Sequence, residues 1–428
     1  MRKIVTKKRL LAGLVILLLL IAGVIFYAHR SFYAVPQSRL AAGAVYPEMP
    51  EDDFHHYIDL PLDHLHPERG TFRAFYQFGP NFYRSRPVTF LLTDGQMELV
   101  GLQTDFDFFE DVLPGVAYVL VGVRGQSPTL FPEVFKDGKI DYEAALDLYG
   151  SDQQIEDIEA VRRQLVAGGI LKPGEKINVF GASGAGVLAQ QYVSKYGTNV
   201  ERLLLESTGA PDLARQNGSR YSPDFKDFNP EAAPIFDSLV AQKTVDKREL
   251  ANVLYQLGRT EKEPRAAQTA LLESLRDGGN LWRYRLKPPM NLSILNYVIK
   301  SPSELAARVR WFELVGADLL RYDGACETNL LYEISSEAVS DLLDFHRRAN
   351  RPAKEFVIDR QNFAGEVLIL KGTEDVVFSD DIARSLEKAY PHAKALFFKD
   401  GHRMLNDKER YRQIRKNFLD IGFRISDQ

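Results

Sequence analysis

A serine flanked by small residues is the position in this sequence best suited to covalent catalysis. Ser183 stands in GASGAG (181–186), between a short apolar strand pattern at 177–180 and an amphipathic helix pattern at Gly184–Tyr196. Small residues permit the tight strand-to-helix turn that presents a nucleophilic serine. A phosphate-binding loop is the alternative for such a turn, but neither GK[ST] nor GxGxxG is present. The segment therefore predicts a nucleophile.

Two residues downstream complete a set suited to acyl transfer. Asp375 follows a strand pattern in EVLILKGTED, with Glu374 beside it as the rival acid, and His402 follows the next strand pattern in ALFFKDGHRM. Serine, then acid after a late strand, then histidine after the last strand is the chain order of α/β-hydrolases. We therefore expect Ser183 to be the nucleophile, His402 the general base and then acid, and Asp375 the group that fixes the imidazole tautomer.

Acyl transfer also needs two donors for the oxyanion of its tetrahedral intermediate. The N–H of Gly184, directly after the nucleophile, is the first expected donor. The second is expected in TDGQM (93–97), after the strand pattern Val88–Leu92, with Gln96 as the candidate. An ordinary turn is the alternative for this stretch.

Alternating strand and helix patterns must position these residues. Strand patterns occupy 57–62, Thr71–Phe78, Val88–Leu92, 116–123, 177–180, 202–205, 367–370 and 395–398. Helical patterns lie at 152–166, Gly184–Tyr196, Asp380–Ala389 and 406–419. Such alternation predicts an α/β fold with a mostly parallel sheet covered by helices on both faces.

The alternation stops between the sixth and seventh strand patterns. The chain there is helical in pattern, and an insertion of this length at a strand end is typical of a lid or a substrate domain. We therefore predict a hydrolase core in two parts, 54–208 and 364–428, with a helical lid at 209–363.

The N-terminus carries an uncharged apolar run, LLAGLVILLLLIAGVIFY, preceded by Lys7, Lys8 and Arg9. Eighteen helical residues span roughly 27 Å, close to the hydrocarbon thickness of a bilayer. The basic flank indicates that residues 1–30 form an anchor with its N-terminus in the cytoplasm, followed by a tether at 31–53 and an extracytoplasmic catalytic domain. Secretion after signal cleavage is the alternative.

Composition limits the remaining classes. The chain has 428 residues, of which 45% are apolar and 26% charged, so it can bury a large core. Its net charge of −4 hides six basic residues and no acid among the first 30, which leaves 48 basic and 58 acidic side chains, a net of −10, for the rest. An acidic domain argues against nucleic acid as a partner.

Metals and cofactors are not indicated. Cys326 is the single cysteine and is expected to be a small buried hydrophobe. His55, His56, His64 and His66 cluster near the first strand pattern, but they lack familiar ligand spacing and are expected to lie on a solvated edge.

With these motifs in place, the chain resembles the prolyl iminopeptidase and tripeptidyl aminopeptidase group of serine peptidases. IDLPLDHLHPERGTFRAFYQF, VGVRGQSPT, YGSDQQIEDIEAVRRQL, GASGAG and KGTED are similar to segments of that group. The similarity runs from about Tyr57 to the C-terminus, excluding much of the lid. TDGQM replaces the group's HGGPG-like motif, and its DxRGxGxS loop is altered at Gly122, Ser127 and Thr129 while Arg124 and Gly125 remain.

The resemblance implies a lid carboxylate that holds the free amino terminus of a peptide. Glu327, in ACETNLLYEI, stands at a comparable position, and Glu206 after the sixth strand pattern is a second candidate. A carboxylate in a pocket is a sound partner for an ammonium group. A solvent-facing helix residue is the alternative for Glu327.

The sequence thus predicts a membrane-anchored serine hydrolase, an aminopeptidase acting on short peptides without a cofactor. An esterase or lipase using the same triad on an uncharged acyl ester is the first alternative. A catalytically silent interaction module is the second, although such proteins usually lose a triad member. Epoxide hydrolase or dehalogenase chemistry is disfavoured because it uses an aspartate where this chain has Ser183.

Overall fold

The computed structural model describes residues 2–35, 39–50 and 52–425, so Pro36 and the rest of 36–38, residue 51 of the predicted tether and the last three residues lie outside it. Within these limits the strands are β1 (His55–Pro61), β2 (Thr71–Phe78), β3 (Val88–Leu92), β4 (Ala117–Val121), β5 (Phe135–Lys136), β6 (Lys139–Ile140), β7 (Ile177–Ala182), β8 (Val200–Glu206), β9 (Glu366–Gly372) and β10 (Ala393–Phe398). All eight predicted strands are present.

The helices of the same residues fall into three groups. The first five precede β8 and are α1 (Arg2–Tyr33), α2 (Phe106–Val112), α3 (Tyr142–Tyr149), α4 (Ser151–Ala167) and α5 (Gly184–Tyr196). The next ten lie between β8 and β9 and are α6 (Pro211–Gln216), α7 (Phe225–Phe228), α8 (Ala233–Ala241), α9 (Lys247–Thr260), α10 (Pro264–Arg276), α11 (Trp282–Arg285), α12 (Leu292–Ile299), α13 (Leu305–Leu319), α14 (Leu330–Ala338) and α15 (Ser340–Ala349). The last two are α16 (Asp380–Ala389) and α17 (Lys408–Ile421).

The strands of the described chain form an eight-stranded sheet and a separate small hairpin of β5 and β6. The sheet order is β1-β2-β4-β3-β7-β8-β9-β10. Only the β1–β2 and β2–β4 pairs in it are antiparallel, and the remaining neighbours run parallel. This is the α/β-hydrolase fold, with β3, β7, β8 and β9 at its centre. The α/β-hydrolase part of the predicted fold class is confirmed.

Burial explains why the central strands read as unbroken apolar runs. Every residue of β3 and β4 is buried, because helices cover both faces of the sheet. Alternate residues of one strand therefore enter different clusters: Phe90 packs on one face and Leu91 on the other. The parallel strands end at one edge, and the candidate catalytic residues follow three of them.

The inserted helices pack directly on the sheet. Phe312 and Leu314 of α13 belong to the same buried cluster as Val179 of β7. Within the insertion, the sequence shows two continuous helical patterns, at 236–258 and 335–349, and the structure breaks both. The chain leaves the helix after α8 and re-enters at α9, where Asp246 caps the Glu249 N–H at 2.9 Å. A second break at Val339 separates α14 from α15.

The N-terminal segment has two parts that differ in burial. The apolar run of α1 is exposed, and Arg9–Tyr33, 25 residues, is long and apolar enough to cross a membrane, a property that signal sequences share. Farther along, Tyr46 and Met49 of the predicted tether are buried against the domain. The Tyr46 hydroxyl donates to the Arg73 carbonyl oxygen at 2.7 Å, which fixes this segment along β2.

Candidate active site

Ser183 occupies the turn between β7 and α5 with a backbone conformation that only strong local packing maintains. Its φ is +54° and its ψ −128°, outside the regions that L-residues prefer. Its N–H donates to the Glu206 carbonyl at 2.9 Å, and its own carbonyl accepts from the Thr208 hydroxyl at 2.8 Å. The side chain is partly exposed. The turn therefore presents the hydroxyl at the carboxyl edge of the sheet.

The small residues around Ser183 are required by close approach of neighbouring chain. A Cβ on Gly181 would lie 2.4 Å from the Ala185 carbonyl oxygen, and one on Gly186 would lie 2.2 Å from Thr208 Oγ1. Ala185, where a glycine is usual, is buried without such a clash. The departure from the usual motif is therefore compatible with the turn.

His402 and Asp375 meet Ser183 in a continuous hydrogen-bonded arrangement. His402 Nε2 lies 3.1 Å from Ser183 Oγ, and its Nδ1 lies 3.0 Å from Asp375 Oδ1. The loop that carries His402 is held by the buried Asp400, which accepts from the Asn406 N–H at 2.7 Å and from the Tyr411 hydroxyl at 2.9 Å. The structure thus brings together the three side chains predicted as the triad.

A buried lysine contacts the far side of Asp375. Lys371 of β9 is 1% exposed in its side chain, and its Nζ lies 3.1 Å from Asp375 Oδ2. Burial alone would raise the pKa of Asp375, but the charges of His402 and Lys371 and the Val377 N–H outweigh it and hold that pKa well below its ordinary value. Asp375 is therefore ionised throughout the neutral range.

The loop after β3, predicted to supply an oxyanion donor, is fixed through three successive carbonyl groups. The Thr93 carbonyl accepts from Gln154 of α4 at 2.8 Å, and the Gly95 carbonyl accepts from Gln126 at 2.8 Å. Between them, the Asp94 carbonyl accepts from Arg310 Nε of α13 at 2.9 Å. A core helix, a loop and an inserted helix therefore share the positioning of this loop.

Within this loop the predicted donor Gln96 is already engaged. Its N–H donates to Asp94 Oδ1 at 3.1 Å. The other oxygen, Asp94 Oδ2, is buried and has no hydrogen-bond partner among the described residues. It faces Gly184, because a Cβ on Gly184 would lie only 1.9 Å from it. A carboxyl oxygen thus lies beside the residue whose N–H follows the nucleophile.

Burial determines the protonation of Asp94. It raises the pKa of the Asp94 carboxyl, and this effect outweighs the opposing charge of Arg310 and the Gln96 N–H. The neutral acid is therefore favoured over the anion relative to an exposed aspartate. A neutral carboxyl can donate a hydrogen bond, which an ionised one cannot.

The two glutamates predicted to bind an amine are both paired with arginines. Glu206 receives a bidentate bond from Arg415 of α17, at 2.7 and 2.8 Å, with both side chains under 10% exposed. Glu327 pairs with Arg220. It lines a cavity of about 470 Å³ between α7, α8 and the 324–328 loop, and no triad residue lines that cavity.

Other residues singled out from the sequence have structural partners. Arg124 is fully buried and binds Asp157 through two nitrogens at 2.6 and 2.5 Å. His64 lies 2.7 Å from the same carboxylate and is half-buried rather than on a solvated edge.

The prediction that Cys326 is buried is wrong: it is exposed, and Asp323 raises the pKa of its thiol. In the described chain no three potential ligands are grouped to hold a metal ion.

Asp94, Arg310 and Lys371 were not found from the sequence. Lys371 lies near the end of the apolar strand β9, and Asp94 follows the apolar strand β3. A charged residue at such a position is a usable signal for a site at the sheet edge. Arg310 carries no such signal, because its contact with the loop spans 216 residues of chain.

Comparison with known proteins adds little to this geometry. No family model and no curated protein sequence matches the chain. Among solved structures, it is similar to an esterase from Exiguobacterium antarcticum, at 15% identity over 81% of this chain and 96% of that one, with a TM-score of 0.40. It is also similar to a serine hydrolase from Cycloclasticus zankles, at 15% identity over 86% of this chain and 99% of that one, with a TM-score of 0.38. A third similar structure is the 2-hydroxy-6-oxo-6-phenylhexa-2,4-dienoate hydrolase of Rhodococcus sp. strain RHA1. Its identity is 14% over 85% of this chain and 98% of that one, with a TM-score of 0.40. Because the similarity is this low, the reaction and the substrate have to be inferred from the geometry of the site.

Proposed function

We propose that this chain is a serine hydrolase that cleaves carboxylic esters. The observation that carries the proposal is the hydrogen-bonded set Ser183–His402–Asp375, with distances of 3.1 and 3.0 Å, at the ends of parallel strands. Such geometry permits proton transfer from the hydroxyl to the imidazole as the oxygen attacks a carbonyl carbon.

The reaction proceeds in two halves. Ser183 Oγ forms a bond to the ester carbonyl carbon while its proton passes to His402 Nε2. The resulting oxyanion collapses, the alkoxide leaves with the proton from His402, and an acyl-enzyme remains. Water then gives a proton to His402 and attacks the acyl carbon. The bond between Ser183 Oγ and the acyl carbon breaks, Ser183 Oγ takes the proton back from His402, and the carboxylic acid leaves. Asp375 stays ionised and stabilises the imidazolium in both halves.

Two groups are suited to hold the oxyanion. The Gly184 N–H follows the nucleophile, as in other serine hydrolases of this fold. We assign the second donor to the Asp94 carboxyl, whose Oδ2 faces Gly184 and whose raised pKa favours the neutral, donating form. The Gln96 N–H is less suited, because it already donates to Asp94 Oδ1. A neutral acid in an apolar site is an effective oxyanion donor in other enzymes.

The state of the carboxylates favours an ester over a peptide with a free amine. Glu206 and Glu327 are paired with Arg415 and Arg220. Asp94 Oδ2 faces Gly184, the residue after Ser183. Burial raises the pKa of Asp94 and so disfavours the anion that an ammonium group would pair with. An uncharged acyl group needs no such partner.

The second candidate is the aminopeptidase that the family resemblance suggests. Its specific support is Asp94 Oδ2, an acidic oxygen beside the nucleophile with no partner in the described chain. An incoming ammonium would itself favour the ionised form of this group. Glu327 would take part only after release from Arg220.

We also propose that α1 spans a membrane and that the hydrolase lies outside the cytoplasm. Residues Arg9–Tyr33 reach about 37 Å as a helix, more than the hydrocarbon core requires. Contacts between the last turn of α1 and the inserted helices support retention of the helix, because cleavage before it ends would remove them.

A fluorophosphonate probe and a substrate panel test the function together. Ser183→Ala should abolish covalent labelling of the full-length protein. Ser194→Ala, on helix α5 that follows Ser183, should label like the parent, because the Ser194 hydroxyl accepts from the Asp359 N–H instead. The parent enzyme, not treated with probe, should hydrolyse short acyl esters and leave aminoacyl amides intact. Labelling that persists in Ser183→Ala would refute the nucleophile, and a preference for free-amine amides would favour the peptidase.

A further inference from the structure

Four large apolar side chains are exposed on one part of the inserted helices. Trp282 is 60% exposed, Leu286 69%, Ile294 44% and Tyr297 38%. We call them the outer lid face. Trp282 and Leu286 are four residues apart around α11, and Ile294 and Tyr297 are three apart on α12, so each pair shares a helix side. Burial would remove these groups from water at a gain of about 25 cal/mol per Å².

Chain contacts join the two helices into one surface. Asn291, the N-cap of α12, donates from its side chain to the Arg285 carbonyl at 2.9 Å. Arg285 and Ile294 also line one cavity of about 450 Å³. The outer lid face is therefore continuous across α11 and α12.

The last turn of α1 packs against this same face. The Tyr33 ring lies 5.0 Å from the Tyr297 ring, and Phe32 lies 6.2 Å from it. The Tyr33 hydroxyl donates to the Tyr297 carbonyl at 2.8 Å, and His29 Nδ1 lies 2.9 Å from the Tyr297 hydroxyl. The apolar run of α1 that precedes these residues remains exposed. The helix that we propose to span the membrane thus ends on the outer lid face.

Residue types on this face match a membrane interface. Tryptophan and tyrosine prefer the headgroup level, where an apolar ring meets polar surroundings. Arg283 and Lys287 are exposed beside Trp282 and Leu286, and neither forms an ion pair with any residue that the structure describes. Cations at this level attract anionic headgroups.

We propose that the outer lid face rests on the surface of the membrane that holds α1. Trp282, Leu286 and Ile294 enter the interface, and Arg283 and Lys287 contact anionic headgroups. The proposal depends on the spanning role of α1 proposed above, but not on the choice between ester and peptide.

A lid seated in this way is linked to the active site by short steps. Arg308 of α13 donates to the Ser301 carbonyl, just after α12, at 2.6 Å. Two residues farther along α13, Arg310 donates to the Asp94 carbonyl. Two arginines of α13 thus hold the chain just after α12 and the loop after β3 that carries Asp94.

Tryptophan quenching tests the proposal, since the chain has two tryptophans. Trp311→Phe leaves Trp282 as the single reporter in the full-length protein, reconstituted in phosphatidylcholine vesicles with a minority of phosphatidylglycerol. Lipids brominated near the headgroup end of the acyl chain should quench its fluorescence and its emission should shift to shorter wavelength. Trp282→Phe leaves Trp311, which is half-buried and donates to Ser335 at 2.9 Å, and should not be quenched.

A third reporter separates the lid from the anchor. Phe26→Trp, in a chain with both native tryptophans replaced by phenylalanine, should be quenched when α1 lies in the bilayer. Quenching at this position without quenching of Trp282 would overturn the proposal while leaving the anchor intact. Absence of quenching at both would overturn both. Equal quenching of Trp282 and Trp311 would also overturn it, because only one side of the lid should meet lipid. Labelling of Ser183 reports separately on the hydrolase.

Discussion

The Asp94 carboxyl, which faces Gly184, is the group that we propose as the second donor to the oxyanion. Oxyanion holes in serine hydrolases are usually made of backbone N–H groups, which cannot change their charge. A carboxyl group in that position acts as a donor only while it is protonated. The burial that raises the pKa of Asp94 is therefore part of the proposed chemistry.

Substitution of Asp94 tests this role through the pH profile. Asp94→Ala should lower kcat by about 100-fold, the loss typical of one oxyanion donor. Asp94→Asn keeps an N–H donor without a titrating group and should retain most activity. The parent enzyme should lose activity as rising pH ionises Asp94, and the asparagine variant should lack this alkaline loss.

The control for Asp94 is an exposed acid of the same type. Asp107→Asn lies on α2, away from the triad, and should keep the parent profile. An alkaline loss that is unchanged in Asp94→Asn would contradict the assignment.

Lys371 offers a second prediction at the residue scale. Lys371→Met should lower the free energy of unfolding by about 3 kcal/mol, since it leaves Asp375 buried without one of its partners. The depressed pKa of Asp375 stabilises the fold above the unfolded-state pKa, and this gain is lost as pH falls through the folded pKa. In the variant this pKa should rise, so acid unfolding should begin at higher pH.

Urea unfolding at several pH values measures this effect. Lys394→Met, an exposed lysine on the neighbouring strand β10, is the matched control and should change stability little. A stable Lys371→Met with unchanged acid sensitivity would show that Lys371 does not support Asp375.

How much of the site was predictable depends on how far its signals reach along the chain. Ser183, Asp375 and His402 each follow a strand pattern with a distinctive local phrase, and the structure brings them together. Asp94 and Arg310 interact only because α13 folds back over the sheet, so no local pattern shows their contact. The partners of Glu327 and Glu206 were unpredictable for the same reason.

At the scale of elements, the loop after β4 depends on a single buried guanidinium. Arg124 binds Asp157 of α4 and the carbonyl groups of Leu62 and Leu148. It thereby joins the loop to α4, α3 and the first strand. This explains the retained arginine in VGVRGQSPT without any contact to the triad.

Removal of this arginine should be costly. Arg124→Met should lower the free energy of unfolding by about 3–5 kcal/mol, because the Asp157 charge stays buried. Arg163→Met on α4, 65% exposed and paired with Glu159, should cost less than about 1 kcal/mol. Denaturant unfolding compares the two, and equal costs would contradict a structural role for Arg124.

The elements themselves were largely predictable. Thr71–Phe78, Val88–Leu92 and α5 have the predicted bounds, because apolar period and flanking turns coincide there. The missed elements are short and lie in two connections without a regular pattern: α2 between β3 and β4, and the small hairpin and α3 between β4 and β7. The break between α8 and α9 was missed because the apolar spacing continues through it.

At the scale of the whole molecule, the inserted helices and the sheet share one buried cluster. Guanidinium unfolding in detergent should therefore be a single transition. Both tryptophans lie in the inserted helices, so their fluorescence reports the lid, whereas far-ultraviolet circular dichroism reports the whole chain. The two curves should have the same midpoint, and separate midpoints would show that the lid unfolds by itself.

The hydrogen bond from Arg310 to the Asp94 carbonyl has a consequence for the timing of turnover. The guanidinium of Arg310, on an inserted helix, supports the loop beside the nucleophile. The inserted helices therefore also position a loop of the active site. A movement of α13 away from the sheet to admit substrate would break this hydrogen bond. Substrate entry and ester cleavage would then occur in different conformations. The open conformation would react less with solutes other than the substrate.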